Sequence, residues 1–437
     1  MNEPHRGAGR VRLAVILALA ACLQAVLLWM ELRPRPRALW GDEIMYADVA
    51  SRWARGEPAT LELLWPPLYP RLLSIVLRVD PSLVALRLAQ AACLFAAALL
   101  WRDLARRLTG SALAADVTAA LLLLDPQVAA FAQFLWPEAL HLALFAAALW
   151  LLVTRGSRPW WLAAAGVLLG VCLLAKSVLG PFLPVLLLPL LREAGLKRGL
   201  ARAAIVVAAC AATVLPTMVA NARQGTFAVA NGARFNVWVG LNDRSPRNLV
   251  GEIVGDEYRR WQASAPTFRE REEILKQEIG GFVREHGPLA IARAQLGRQY
   301  FRLFHHDSFF TDQLPGGAIT ALGLGYPDPP RALAAALRAY ANVVWMATLV
   351  GVGLGLAALP RERTGWVAVL LAFVAYNLAL FLLLHVKTRY RLPFLPVLHL
   401  LAGAGIAALA GEGRLGGWPQ RVAGAVAAAL LLCLAFA

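Results

Sequence analysis

Apolar runs long enough to cross a membrane recur along this chain, separated by short polar or basic segments. Because a membrane-spanning helix needs about 20 apolar residues, the pattern predicts about eleven spans. Their predicted bounds are 12–30, 82–101, 111–125, 137–153, 159–176, 179–192, 199–220, 334–359, 364–384, 392–411 and 421–437. The hydropathy pattern therefore predicts an all-α polytopic membrane protein.

Two long stretches contain no predicted span and divide the chain. We predict an N-terminal membrane module at 1–220, with its first loop at 31–81, a soluble insert at 221–333 and C-terminal membrane helices at 334–437. The insert begins with NGARFNVWVGLNDRSP, which alternates apolar and polar residues as a strand does. Residues 268–285 have the pattern of a charged helix that ends at His286-Gly287-Pro288. The insert is therefore predicted to be α/β.

The composition supports a membrane protein and argues against two other classes. Of the 437 residues, 59% are hydrophobic and 16% are charged, and the mean hydropathy is +0.58, which is too apolar for an ordinary soluble globule. The formal charge of +16 is divided among short clusters between apolar runs, so nucleic-acid binding is not predicted. The five cysteines lie in apolar runs without a CxxC spacing, which is typical of inert core thiols.

The basic clusters predict which side of the membrane each loop occupies. With eleven spans they all fall on one side, which the positive-inside rule makes cytoplasmic. The clusters are Arg6, Arg10 and Arg12; Arg102, Arg106 and Arg107; Arg155 and Arg158; Arg192, Lys197 and Arg198; Arg361 and Arg363; and Arg414 and Arg421. The opposite face then receives the first loop, the 125–138 connection, the insert and the link at 385–391.

The first loop on that opposite face carries the strongest chemical signal. Asp42 and Glu43 follow the first span, and an apolar stripe at helical spacing begins at Met45. The run Pro66-Pro67-Leu68-Tyr69-Pro70 then breaks the helix and turns the chain back towards the membrane. A carboxylate at this boundary can accept a proton from an attacking hydroxyl. Asp42 fits equally well as the cap of the helix that starts there.

Cations converge on the same predicted face. Lys176 ends a predicted span beside a Gly/Pro break, where an ammonium can neutralise a phosphate leaving group. The link at 385–391 adds Lys387, Arg389 and Arg391 on the side where few cations are expected. Snorkelling of single side chains to the interface is the alternative interpretation. We predict that these four cations bind a donor phosphate.

A metal site has a weaker basis in the sequence. Glu138 and His141 stand three residues apart after Pro137 and supply two potential metal ligands. A proline followed by an acidic residue is also what ordinary helix initiation looks like. Without further ligands the metal remains unknown, and helix initiation is the favoured interpretation.

Several motifs occur in a characteristic order along almost the whole chain. They are GDEIMYADVA after the first span, PPLYP before the second, LLAKS, NGARFNVWVG at the start of the insert and RYRLPFLP before a late helix. In this order the chain resembles the integral-membrane glycosyltransferases of the C fold (GT-C), which use polyprenyl-phosphate sugars. Within that fold it is most similar to bacterial protein O-mannosyltransferase relatives, the lipid A aminoarabinose transferase and the rhizobial galacturonosyl transferases.

The resemblance implies a GT-C-like bundle and a donor with one phosphate between sugar and polyprenol. It also implies that Asp42 is the base or organises the acceptor, and that Lys176 contacts the phosphate. The aminoarabinose branch has Glu-Lys before its Pro-Pro, where this chain has Leu64-Trp65, and an arginine where this chain has Met45. Since that Glu-Lys pair is implicated in metal and phosphate contacts, its absence weakens the expectation of a bound divalent metal and leaves that alternative open.

The sequence thus predicts a hexosyl or pentosyl transferase of the bacterial inner membrane with a periplasmic active site. It would transfer a sugar with inversion from a polyprenyl-phosphate donor to a hydroxyl of lipopolysaccharide, another envelope glycan or a protein. The predicted catalytic residues are Asp42 and Glu43, and the candidate substrate contacts are Tyr46, Glu62, Tyr69 and Glu138. Two alternatives stay open: a transporter or flippase for a lipid-linked or anionic solute, and a catalytically inactive relative.

Overall fold

The structure, a computed structural model, describes residues 3–59, 61–243, 251–327, 329–358, 364–413 and 415–436. Within these ranges the chain forms helices, turns and irregular segments and contains no strand. The prediction of an all-α membrane protein is therefore confirmed. Three arginines of the basic clusters, Arg361, Arg363 and Arg414, lie outside the described residues.

The N-terminal module contains most of the membrane helices. Its helices are α1 Glu3–Glu31, α2 Asp42–Ala54, α3 Leu68–Val79, α4 Val84–Thr109, α5 Ala112–Leu124, α6 Pro126–Ala129, α7 Glu138–Arg155, α8 Pro159–Ala175, α9 Leu183–Leu186, α10 Leu188–Ala194 and α11 Leu196–Ala222. The insert forms α12 Ala233–Asn242, α13 Gly251–Ser264, α14 Phe268–His286, α15 Pro288–Arg298 and α16 Phe309–Asp312. The C-terminal part forms α17 Arg331–Ala358, α18 Thr364–Leu380, α19 Leu395–Leu409 and α20 Trp418–Phe436.

Each of the eleven predicted spans coincides with an apolar helical region. Among the described residues, seven helices are long and apolar enough to cross a membrane, and a helix pair bent by 55° at Asp125 makes up an eighth. Three shorter apolar helices, Pro159–Ala175, Gly365–Leu380 and Leu395–Leu409, account for the remaining predictions. The bend follows from the sequence, because the Asp125 carboxylate accepts from the Gln127 amide and starts a new helix at Pro126.

Glycines allow pairs of membrane helices to cross at short distance. A Cβ added to Gly355 of α17 would lie 2.0 Å from the Leu401 carbonyl oxygen of α19. A Cβ on Gly166 of α8 would lie 2.4 Å from the Val206 oxygen of α11. Between membrane helices such residues let the backbones approach closely, so that dispersion contacts hold the pair together. These two crossings therefore depend on glycine.

The insert differs from its predicted α/β character. The start that alternates like a strand forms helix α12, so the strand prediction is wrong there. Phe235 and Val239 of α12 are buried in a small core with Trp261 of the insert, and this core makes a helix that presents one apolar face more favourable than a strand. The charged helix was predicted correctly: Thr267 and Glu270 form a capping box, and Gly287 ends the helix with a φ of 76°.

The first loop contains two helices. α2 begins at Asp42 as predicted, and Val49 on its apolar stripe is 5% exposed. The proline run does not simply turn the chain, because α3 begins at Leu68 directly after Pro67. Proline is tolerated in the first turn, where the amide has no intrahelical acceptor. α3 packs against α2, so the two helices hold the beginning of α2 over one end of the bundle.

Candidate functional site

A cleft lies where the start of α2 meets segments from three distant parts of the chain. Its walls come from the turn before α7, the start of α16 and the link that precedes α19. The lining residues are Trp40, Gly41, Asp42, Trp136, Phe309, Asp312, Ile319, Lys387, Thr388 and Arg389. The cleft thus joins the first-loop acid to two of the four predicted phosphate-binding cations.

Asp42 faces this cleft and does not cap its helix. Gly41 occupies the cap position with a φ of 60°, a backbone conformation that favours glycine, and no side chain caps the helix. The Asp42 carboxylate instead accepts a hydrogen bond from the Arg389 guanidinium and forms an ion pair with it. The capping alternative for Asp42 is therefore wrong, and its carboxylate is turned towards the cleft.

Arg389 is held in place by aromatic rings. Its guanidinium carbon lies 4.3 Å from the ring centre of Trp136 and 5.3 Å from that of Tyr390, in the geometry of cation–π contacts. Burial by itself would raise the pKa of Asp42, but Arg389 and Lys387 outweigh it and lower this pKa below its usual value. Asp42 is therefore ionised at neutral pH.

Lys387 is the cation of the cleft that is available to a ligand. It is half-buried, and its ammonium makes no hydrogen bond or close ion pair with another residue of the described ranges. Burial, and next the charge of Arg389, lower the pKa of Lys387 to about 8. At neutral pH it carries a positive charge in a confined site, which is what an anionic ligand requires.

Glu43 points away from the cleft. It is fully buried, and both of its oxygens accept from the Arg37 guanidinium at 2.6 Å. Its carboxylate also accepts from the backbone amides of Trp40 and Leu135, at 3.2 and 2.7 Å. Arg37 in turn binds Glu31 of α1 at 2.8 Å. With its lone pairs engaged by the protein, Glu43 shapes the loop around the site and is not placed to touch a substrate.

Lys176 and Glu138 form a second pair of opposite charges. The Lys176 ammonium lies 3.1 Å from a Glu138 oxygen, and the other Glu138 oxygen has no hydrogen-bond partner in the described part of the chain. Lys176 caps the C-terminal end of α8, and its partner Glu138 is the first residue of α7. Neither residue lines the cleft, although Glu138 is within electrostatic reach of Arg389 and Tyr46.

The two potential metal ligands do not converge. His141 contacts the Cys172 sulfur through Nδ1 at 3.1 Å, while Glu138 binds Lys176. No group of three or more His, Cys, Asp or Glu side chains with metal-binding spacing occurs in the described ranges. The donor set expected for a divalent ion is therefore not assembled by these residues.

The other predicted site residues serve different contacts. Arg391 donates to the His305 carbonyl at 3.0 Å and lies 3.9 Å from the ring centre of Trp345. Glu62 forms an ion pair with Arg271 of the insert at 3.3 Å. These contacts engage Arg391 in packing and give Glu62 a role in holding the insert.

The two tyrosines differ in their freedom. The Tyr69 hydroxyl donates to Gln90 at 2.7 Å, which fixes it inside the bundle. Tyr46 stacks edge-on against Tyr69 at 5.4 Å. Tyr46 is buried one helical turn from Asp42. Burial, and next the charges of Asp42 and Glu138, raise the pKa of Tyr46, so its hydroxyl stays protonated. Tyr46 remains a candidate substrate contact, whereas Tyr69 positions it.

The sequence analysis did not predict the aromatic residues that line the cleft. Trp136 and Phe309 have their ring centres 4.3 Å apart, although 173 residues separate them in sequence. A tryptophan near a span end is ordinarily an interfacial residue, so Trp136 gave no separate signal. Phe309 lies in the insert, where nothing in the sequence connects it with the first loop.

Comparison with known proteins finds one family model that matches part of the chain. Residues 65–221, less than half of the chain, match the family model described as dolichyl-phosphate-mannose-protein mannosyltransferase. This match confirms the resemblance to glycosyltransferases that use polyprenyl-phosphate sugars. The crystal structure of ArnT from Cupriavidus metallidurans bound to undecaprenyl phosphate is similar at 18% identity and a TM-score of 0.39, covering 91% of this chain and 78% of that one. No curated protein matches the chain.

Proposed function

We propose that this multi-pass membrane protein is a glycosyltransferase that moves a sugar from a polyprenyl-phosphate donor to an acceptor hydroxyl. The observation that carries the proposal is the shared cleft of Asp42 and Lys387. One wall holds a carboxylate that stays ionised, and the other presents an ammonium without an ion-pair partner among the described residues. The family match over residues 65–221 supports the same class of reaction.

Asp42 is the proposed base. As the acceptor oxygen attacks the anomeric carbon, its proton passes to the Asp42 carboxylate. The bond between the anomeric carbon and the phosphate oxygen breaks, and the electron pair leaves with the phosphate. A single displacement of this kind inverts the anomeric centre. The lowered pKa of Asp42 makes it a weak base, so its contribution is strongest late in the displacement, when the attacking oxygen has become acidic.

Lys387 is the proposed principal contact of the leaving phosphate. The departing group gains negative charge, and a preorganised cation in a site shielded from water stabilises it strongly. Arg389 lies beside Lys387 and adds positive charge. Lys176 is proposed as a secondary phosphate contact, because its partner Glu138 is within electrostatic reach of Arg389. Arg391 is engaged elsewhere and is not included.

The aromatic wall is proposed to hold apolar parts of the substrates. Trp40 and Phe309 are each partly exposed in the cleft. Such rings provide a rigid apolar surface with little loss of side-chain entropy. Tyr46 is proposed as a hydrogen-bond donor to the sugar or acceptor, because its hydroxyl stays protonated.

We further propose that the protein lies in the bacterial inner membrane with this cleft on the periplasmic face. The arginine and lysine clusters between the spans all fall on the face opposite the cleft, which the positive-inside rule makes cytoplasmic, and this supports that orientation. The proposed acceptor is an envelope lipid, glycan or protein that reaches the membrane surface. No metal ion is assigned a role, because the described side chains do not converge into a donor set.

The direct test measures the fate of a donor in proteoliposomes that contain the purified protein. A panel of radiolabelled polyprenyl-phosphate hexoses and pentoses is supplied with envelope extract as the acceptor. The expected result is release of polyprenyl phosphate together with a labelled product. Movement of an intact donor between leaflets without release would instead identify a flippase. Absence of both activities across the panel would favour an inactive relative.

A further inference from the structure

A second cleft lies at the opposite end of the bundle from Asp42. It opens between the ends of α4, α7 and α10 and the start of α18. Trp136, two residues before α7, lines the first cleft, and Val153 near the end of α7 lines this one. At a rise of 1.5 Å per helical residue, the part of α7 from Glu138 to Val153 is roughly 22 Å long. The charged and aromatic lining of the second cleft consists of Asp103, Arg106, Arg107, Arg192, Glu193 and Trp366. The proposed transfer reaction uses none of these residues.

The carboxylates of this second cleft are occupied by the protein. Asp103 accepts from Arg107 at 2.6 Å and from the Trp150 indole at 2.8 Å. Glu193 accepts from the Trp366 indole at 2.7 Å. Arg106 and Arg192 are exposed, and neither makes a hydrogen bond or close ion pair with another described residue. Two guanidinium groups are thus left for a ligand.

The balance of charge and apolar surface indicates which anion fits. Among the described residues, three arginines and two carboxylates line the cleft, and together they leave one net positive charge. A phosphodiester carries one negative charge and is matched by this balance, whereas a phosphate dianion is not. Leu108, Val153 and Pro189 also line the cleft and provide an apolar surface next to the cations. A ligand with a phosphodiester head and hydrocarbon chains satisfies both features.

Helix polarity does not account for the arrangement. Arg106 lies in the last turn of α4 and Arg192 in the last turn of α10, where a cation complements the helix dipole. That effect requires only a basic residue on each helix and not that the two helices direct them to one cleft. Basic pockets between membrane helices on the cytoplasmic side are known to bind anionic lipid headgroups.

We propose that this cleft binds the phosphodiester headgroup of an anionic phospholipid through Arg106 and Arg192. The acyl chains lie along the apolar side of the cleft. Bound lipid would bridge α4 and α10 at the end of the bundle that the sequence predicts to be cytoplasmic. The proposal is independent of the transfer reaction, so it stands or falls separately from it.

The test measures lipid binding to the purified, delipidated full-length chain by native mass spectrometry. The probe is phosphatidylglycerol, compared with zwitterionic phosphatidylcholine and with inorganic phosphate. The double variant Arg106→Gln/Arg192→Gln is expected to bind phosphatidylglycerol roughly ten- to thirtyfold more weakly, since each basic residue near an anionic headgroup contributes measurably to affinity. Phosphatidylcholine is expected to bind the wild type weakly.

The matched control is Arg158→Gln/Lys197→Gln, which removes two exposed cations from the same predicted face outside the cleft. This control is expected to bind phosphatidylglycerol like the wild type. The charge-preserving variant Arg106→Lys/Arg192→Lys is expected to keep most of the affinity. Thermal melting of each variant shows whether it is folded. Equal loss of binding in the control, or unchanged binding in the double glutamine variant, would overturn the proposal. Inorganic phosphate that bound as tightly as the lipid, with the same dependence on arginine, would replace the lipid by a soluble anion.

Discussion

The guanidinium of Arg389 binds the carboxylate of Asp42, which lies 347 residues away in sequence. The contact joins the first loop to the link before α19 and leaves Lys387 beside it without an ion-pair partner among the described residues. An acid that is paired with one cation and faces another can stay ionised while an anionic substrate binds the second cation. Asp42 is therefore expected to act in proton transfer and Lys387 in binding the donor phosphate.

Replacing Asp42 with Asn removes the proposed base and is expected to lower the transfer rate by about a hundredfold or more. The measurement is the initial rate of polyprenyl phosphate release at saturating donor. Asp48→Asn is the matched control, because Asp48 is an exposed carboxylate on the same helix. It should transfer sugar at the wild-type rate. A purified Asp42→Asn protein with near wild-type activity would remove Asp42 from the mechanism.

Replacing Lys387 with Met is expected to weaken donor binding and also to slow the transfer step, because the departing phosphate gains negative charge. A lost hydrogen bond to a charged group corresponds to roughly ten- to a hundredfold, seen as a higher KM for the donor together with a lower kcat. Lys276→Met is the control, because Lys276 is exposed in the insert and paired with Glu273. If both variants have the same donor KM, Lys387 does not contact the donor.

The pH dependence follows from the same lysine. Its ammonium is protonated below a pKa of about 8 and neutral above it. The kcat/KM for the donor is therefore expected to fall as the pH rises through about 8 in the free enzyme. Lys387→Arg keeps the charge at higher pH and should move this alkaline limb upwards. An unchanged alkaline limb in Lys387→Arg would assign the titration to another group.

Glu43 is expected to contribute to stability instead of to the chemistry. Glu43→Gln removes the negative charge opposite the fully buried Arg37, and breaking a buried pair on one side costs about 3 kcal/mol or more. The expected result is a lower thermal unfolding midpoint in detergent. Glu57→Gln is the control, since Glu57 pairs with Arg55 in solvent and should leave the midpoint unchanged. A Glu43→Gln protein of normal stability but without activity would return Glu43 to the catalytic residues.

The first loop also holds the insert, and this can be tested at Leu64. Its side chain is buried in the core that contains Phe235 and Trp261 of the insert. Leu64→Ala is expected to destabilise this contact by about 2 kcal/mol or more and to make the insert cleave faster in limited proteolysis. Leu289→Ala, at a position 83% exposed in the insert, should leave the cleavage rate unchanged. Equal rates in the two variants would show that Leu64 does not anchor the insert.

Local patterns predicted the elements well. The apolar runs located the eleven apolar helical regions of the described residues, because burial in a membrane depends on the composition of each segment alone. The end of α14 at Gly287 was predicted correctly for a similar reason, because the residues next to a helix end determine where the helix stops. Where a segment packs against a distant partner, the local pattern misled. NGARFNVWVG alternates like a strand, yet it forms α12 against Trp261.

The sequence by itself determined that this is a helical membrane protein and that Asp42, Lys387 and Arg389 belong to one face of it. Hydropathy and the distribution of arginine and lysine suffice for that, because each span must satisfy its own backbone hydrogen bonds in lipid. Only the tertiary structure decided which carboxylate is available. Asp42 and Glu43 are adjacent in sequence, but successive helix positions point about 100° apart. One side chain therefore enters the cleft beside Lys387, and the other is buried against Arg37.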